Sequence, residues 1–268
     1  MGVCFSMNPF ILHLGGPLNI SWYGLFLVCS VSLFLYGAYT DIRRSSILNT
    51  NQFFDCAAVA TLSGLVGGKL LFMISQFDEL YVSSLTDIMH LIIGGYAILG
   101  AIVGAVLGLW GMARWYRLEM IPLFDLAGAY ALLAHGIARV GCFIAGCCYG
   151  VPALGRALSI VYTHPASLAP LHMRLFPVQL LMAVVSLIGF VVCRQLYHTP
   201  RRRDGLVFGV YIIWECAARF GIEFWRGDRV TWYAGLSAYQ WCALGMIVLA
   251  LLFLRTNVFV SHARRRWK

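Results

Sequence analysis

The side chains with the most chemical potential in this sequence lie between His135 and Gly150, a stretch reading His-Gly-Ile-Ala-Arg-Val-Gly-Cys-Phe-Ile-Ala-Gly-Cys-Cys-Tyr-Gly. Arg139 interrupts an apolar run there, and Gly141, Cys142, Cys147, Cys148 and Gly150 follow it. A guanidinium in hydrocarbon costs at least ~2.5–3.5 kcal/mol, so it needs a partner. Either Arg139 reaches the nearby surface or an acid that ties helices together, or it meets an anionic ligand. A second polar set, Glu215, Arg219 and Glu223, recurs at i, i+4 and i+8, with Arg226 three residues further on. That spacing puts the four on one helix face. The face is either a self-satisfied ladder or the wall of a wet interior. Arginines on two separate segments suit a phosphate, because guanidinium donates paired hydrogen bonds to its oxygens.

The elements that carry these residues follow from composition. The chain has 268 residues, 60% of them hydrophobic, only 12% charged, and a mean hydropathy of +0.78. Soluble domains carry roughly 25% charge, so the class is an integral membrane protein. Seven apolar runs approach the ~17–25 residues needed to span a bilayer. They lie near 20–39, 55–76, 91–112, 123–145, 178–193, 206–224 and 238–254, the fifth being the shortest. The expectation is an all-α protein of seven transmembrane helices in a single domain, 1–268, with no removed signal peptide. The net charge of +9 would suggest nucleic acid in a soluble protein; here it reads as topology-setting loop arginine, and no nucleic-acid partner is expected. Thirteen Lys and Arg residues fall in the loops after runs one, three and five and in the C-terminal tail. Among them are Arg43, Arg114, Arg194, Arg201, Arg202 and Lys268. The alternate loops hold four: Arg156, Arg174, Arg226 and Arg229. The positive-inside rule then places the N-terminus outside and the C-terminus in the cytoplasm.

With direction fixed, the helical rise assigns depths. Tyr23 lies near the outer surface, Lys69 roughly 10 Å in, Gln179 at the mouth of run five, and Arg139, Arg219 and Glu223 in the outer half. Several segments thus deliver polar groups to one layer, where the obvious anion is a phospholipid headgroup. Asp125, about 21 Å from Arg139 along one helix, reads as a helix-start or loop anchor. The glycines of run three, Gly94, Gly95, Gly100, Gly104 and Gly108, read first as close helix packing. The segment 147–176 is a small external cap or a slack loop. Cys142, Cys147 and Cys148 lack zinc-site spacing and read as packing residues or as a redox group on an oxidising face. No metal or cofactor is expected.

These residues resemble the prolipoprotein diacylglyceryl transferases, with the likeness running along most of the chain. Leu14 to Gly24, with Pro17, Trp22 and Tyr23, is similar to the family's N-terminal segment. Gly67-Gly68-Lys69 resembles its Gly-Gly/Ala-Arg element. Arg139 to Gly150 resembles the signature Arg-Ile-Gly-Asn-Phe-Ile-Asn-Gly-Glu-x-x-Gly. Pro177-Val178-Gln179-Leu180, Arg219-Phe-Gly-Ile-Glu223-Phe-Trp-Arg226 and Gln240-Trp241 match further elements in order. The resemblance implies seven spans and an inner-membrane enzyme that transfers diacylglyceryl from phosphatidylglycerol to the lipobox cysteine of a preprolipoprotein. Arg139 and Arg219 would stabilise the phosphate, and Tyr23 and Glu223 would orient headgroup or arginines. Gly141 and Gly150 would permit close approach, with Lys69, Cys142, Cys147, Gln179 and Arg226 at the substrate. The sequence departs from the pattern at Leu99, where the family carries histidine, and at Cys142 and Cys147, which replace Asn and Glu. Those departures leave open a paralogue with another acceptor, or a thiol-redox or lipid-binding membrane protein.

Overall fold

The computed structural model describes residues 3–5, 8–13, 19–45, 47–75, 95–153, 158–200 and 203–266. Leu14, Pro17, Gly94, Arg156, Arg201, Arg202 and Lys268 lie outside them. The described residues form seven α-helices: α1 (Trp22–Ser45), α2 (Thr50–Ser75), α3 (Ile98–Tyr116), α4 (Met120–Ala145), α5 (Val178–Tyr197), α6 (Leu206–Ile222) and α7 (Ala238–Arg266). A 3-10 turn, Glu223–Trp225, extends α6. Six of the helices are long and apolar enough to cross a membrane; α6, with 17 residues, is not among them.

Two compact units divide the chain, Met1–Ala38 with Ile121–Lys268, and Tyr39–Met120. In the smaller unit α2 and α3 pack backbone to backbone. A Cβ on Gly67 would lie 2.5 Å from the carbonyl oxygen of Gly100, and one on Gly108 would strike the Ser63 side chain. Gly95, Gly100, Gly104 and Gly108 are therefore packing residues. The expected start of that span near 91 does not match the helix, which begins at Ile98. Gly95 to Ala97 are instead tied to α2: Ala97 N–H donates to the Gly68 carbonyl (3.1 Å) and Tyr96 O–H to that of Gly64 (2.9 Å). Those bonds hold the segment extended.

In the larger unit, α4 is the most buried helix, with Ala129 and Leu132 fully enclosed. Pro122 sits in its first turn, where no intrahelical N–H bond is lost. The fifth span, short in the sequence, is a 20-residue helix that Pro177 precedes. Asp125 resolves as a loop anchor. Fully buried on α4, its carboxylate accepts from the N–H groups of Gly205 (2.8 Å) and Phe208 (2.9 Å) at the start of α6. Those donors have no helical partner, and the positive end of the α6 dipole adds attraction.

The described part of 147–176 carries strands, which have no counterpart in an all-helical expectation. Among the described residues there are five short strands: β1 (Val3–Phe5), β2 (Phe10–His13), β3 (Asn19–Ser21), β4 (Ile160–Tyr162) and β5 (Arg174–Leu175). β4 lies between β1, parallel to it, and β5, antiparallel. β2 and β3 form a separate antiparallel pair. Ile160, Tyr162, Ala169 and Leu175 give the sheet its own core, against which Phe143 and Tyr149 pack. Tyr162 O–H donates to the Phe143 carbonyl (2.9 Å), pinning the sheet to the end of α4.

Asp125→Ala removes two hydrogen bonds to a buried charge and leaves two helix-end donors bare. The expected loss is about 2–3 kcal/mol, seen as a lowered unfolding midpoint in detergent.

Candidate functional site

Arg139 leaves α4 near its C-terminal end and is held from behind. Its Nε donates to His135 Nε2 (2.9 Å), one helical turn earlier on the same face. His135 Nδ1 in turn faces Glu215 Oε2 on α6 (3.0 Å), with Ser186 Oγ of α5 at 3.4 Å. A neutral imidazole protonated on Nδ1 satisfies both contacts, giving a chain Glu215–His135–Arg139. Among the described residues no carboxylate pairs with Arg139 directly, so its Nη edge is left for something else. Nη1 donates a long hydrogen bond to Cys142 Sγ (3.9 Å).

The second arginine comes from α6. Arg219 Nε lies 3.9 Å from Glu223 Oε2, and Arg226 Nε lies 3.8 Å from the same oxygen. Both contacts are too long for hydrogen bonds, and Oε2 is buried with none. The other oxygen, Oε1, accepts from Ser237 O–H (3.1 Å). Glu223 is thus a buried, loosely engaged carboxylate that holds two guanidiniums at arm's length. Arg226 is further occupied by a two-pronged pair with Asp228 (2.9 and 2.7 Å). Arg219, stacked over the Tyr239 ring at 5.4 Å, keeps more of its donors open.

The charges of Arg139 and Arg226 both act on Arg219, and Arg139 acts on Tyr23 at the head of α1 together with Cys142, Cys147 and Cys148. The structure therefore brings together Arg139, Arg219, Arg226, Glu223, Tyr23, Cys142 and Cys147. Gln179, buried at the start of α5, donates to the Cys147 carbonyl (2.9 Å); it braces the turn after α4. Gly141 and Gly150 do permit close approach, and the approaching groups are the protein's own. A Cβ on Gly141 would lie 2.9 Å from Phe26 Cβ of α1. Gly150 bridges to Arg226 and leaves no room for a Cβ beside the Phe176 carbonyl. Lys69 belongs to the smaller unit, where its Nζ donates to the Gly95 carbonyl (3.2 Å).

The ladder of α6 is not self-satisfied, because Glu215 turns to His135. His135 had no role in the sequence reading, although its spacing of four from Arg139 carried the signal. Ser237 and Gln240 were missed as the support of Glu223: fully buried Gln240 accepts from Ser237 N–H (2.9 Å) and Arg229 (3.1 Å), and donates to the Phe220 carbonyl (3.1 Å). An apolar groove opens between α5 and α6, lined by Val185, Val210, Ile213, Trp214, Ala217 and Ala218.

A family model described as prolipoprotein diacylglyceryl transferase matches residues 9–256. A phosphatidylglycerol–prolipoprotein diacylglyceryl transferase of Dehalococcoides mccartyi is 34% identical over 238 residues, covering 89% of each chain. A Clostridium tetani protein of the same name is 28% identical over 256 residues, 94% of this chain and 99% of its own. One from Streptococcus pyogenes is 28% identical over 255 residues, 92% and 94%. This chain belongs to the prolipoprotein diacylglyceryl transferase family.

Proposed function

We propose that the protein transfers a diacylglyceryl group from phosphatidylglycerol to the lipobox cysteine of a preprolipoprotein, at the outer leaflet of a bacterial inner membrane. The observation that carries this reading is the meeting of Arg139 and Arg219, from different helices, with donors not consumed by carboxylates. Seven spans with an external N-terminus and a cytoplasmic C-terminus accord with the distribution of loop arginine. The apolar groove between α5 and α6 suits an acyl chain.

In the proposed reaction the acceptor sulfur forms a bond to the glyceryl carbon as the carbon–oxygen bond to phosphate breaks. The electron pair leaves with glycerol phosphate, so negative charge grows on the phosphate oxygens. Guanidiniums held in advance stabilise that charge most at the transition state. Arg139 is oriented by His135 and Glu215, and Arg219 is spaced by Glu223, so neither needs to reorganise as the bond breaks. Tyr23 closes the site from α1. Leu99, at the position where the family carries histidine, is exposed on α3. His135 does not replace that histidine as a base, because both ring nitrogens are engaged.

The test is purified protein in detergent with labelled phosphatidylglycerol and a lipobox peptide, read by peptide mass and glycerol phosphate release. Arg139→Ala is expected to lower kcat/KM by roughly 10²–10³-fold. Arg139→Lys, which keeps the charge and loses the planar fork, should recover little of it. Wild-type protein with no adduct on the peptide cysteine contradicts the function. His135→Leu should lower kcat about tenfold with little change in the KM for lipid, since it releases Arg139 without removing it. His135→Gln, able to accept from Arg139 and donate to Glu215, should restore much of the loss.

A further inference from the structure

The loop that joins α6 to α7 presents a surface that the arginine site does not use. It leaves Val230, Trp232 and Tyr233 exposed by 78%, 76% and 69%. Trp232 and Tyr233, with Trp241 from the first turn of α7, line an apolar cup of about 390 Å³. Exposed apolar patches of this kind mark contacts with a membrane or another protein.

The cup is braced. Tyr233 to Leu236 make a tight hairpin turn whose two central residues, Ala234 (φ +51°) and Gly235 (φ +72°), are both left-handed. Glycine takes that form freely, whereas Ala234 takes it against its own Cβ and needs outside contacts to hold it. Trp232 N–H donates to the Leu236 carbonyl (2.8 Å), and Leu236 N–H to that of Tyr233 (3.0 Å). Arg229 Nη2 donates to the Gly235 carbonyl, and Trp241 Nε1 to the Tyr233 carbonyl (3.2 Å). The Tyr233 and Trp241 rings stand 6.0 Å apart. So held, the hairpin keeps its aromatic side chains outside.

What covers them follows from α7. Leu244, Val248 and Leu252 succeed Trp241 at helical spacing and are exposed, making one apolar face on a helix able to cross a membrane. Its 19 apolar residues, Ala238–Thr256, are just enough for the hydrocarbon core, so each end lies at the boundary of that core. Hydrocarbon covers the face, and the cup continues it past the N-terminal end of the helix. Tryptophan and tyrosine, each an apolar body with a polar tip, suit that boundary. No charged side chain lines the cup among the described residues.

We propose that the hairpin carrying Val230, Trp232 and Tyr233 is a membrane anchor, seated between phospholipid headgroups and the first carbons of their chains. The anchor is coupled by hydrogen bonds to the arginine site. Gln240 Oε1 accepts from Arg229 and from Ser237 N–H, and Ser237 O–H donates to Glu223. The depth at which the hairpin sits therefore sets the height of Glu223 in the bilayer. The anchor stands whether or not the chain transfers diacylglyceryl.

The experiment uses full-length protein carrying fluorotryptophan, in nanodiscs of phosphatidylcholine and phosphatidylglycerol, read by fluorine NMR. Trp232→Phe identifies the Trp232 resonance by its loss. Three paramagnetic probes are compared: a lipid with its nitroxide near the headgroup, one with it at the chain end, and a water-soluble nickel chelate. The Trp232 line is expected to broaden at least about threefold more with the headgroup-proximal nitroxide than with either other probe. Strongest broadening by the chelate puts the hairpin in water and overturns the proposal, as does strongest broadening by the chain-end nitroxide. A line that no probe broadens means a protein contact covers the cup, and also overturns it. So does lipid broadening that a lipobox peptide abolishes, which would make the cup a peptide seat.

Discussion

A guanidinium set into an apolar helix has to be paid for, and the larger unit is arranged around how Arg139 meets that cost. A direct carboxylate would satisfy the charge and also consume it. Here the acid is one residue removed: Glu215 faces His135, and His135 accepts from Arg139 Nε. The charge is compensated across α4 and α6 while the Nη edge meets only the Cys142 thiol. The same device recurs at Arg219, where Glu223 stands 3.9 Å away, close enough for Coulomb attraction and too far for a hydrogen bond. The proposed anion site needs charge that is stabilised in the resting state and still free to bind, and the surroundings of both arginines suit that need.

The rest of the unit fixes the two helices that carry them. Asp125 starts α6 in the right place by capping it from α4, which couples the two arginine-bearing helices at their far ends. At the near end, Ser237 holds Glu223 and is itself held by Gln240 of α7, and the chain after α4 returns to meet the chain after α6. Val151 N–H donates to the Trp225 carbonyl, and Gly227 N–H to that of Tyr149, each at 2.9 Å. Gly141 lets α1 approach closely enough to bring Tyr23 alongside.

Much of this was legible in the sequence because membrane helices obey few rules. Apolar length marked the spans, and helical spacing put Arg219, Glu223 and Arg226 together. An arginine within an apolar run pointed to α4 before any fold was known. Tertiary pairing was not legible. Glu215 is four residues from Arg219, and local spacing favoured that partner, whereas the helix crossing gives it to His135. The sheet built from β1, β4 and β5 joins the first residues of the chain to a segment more than a hundred residues later, and short strands with such distant partners leave little periodic signal. The start of α3 was misplaced because apolar residues extended past it; bonds to α2, invisible in the sequence, hold Gly95 to Ala97 extended.

The central claim is that Arg139 and Arg219 act on one anion as a unit, and a double-mutant cycle tests it most directly. Glycerol phosphate release would be measured for Arg139→Ala, Arg219→Ala and the double variant, with folding of each checked by helical content. A shared phosphate predicts strong coupling: once one arginine is gone, removing the second costs far less than it does alone, with an interaction energy above about 1 kcal/mol. Effects that simply multiply would mean that the two arginines serve separate purposes, and the shared-anion account would be wrong.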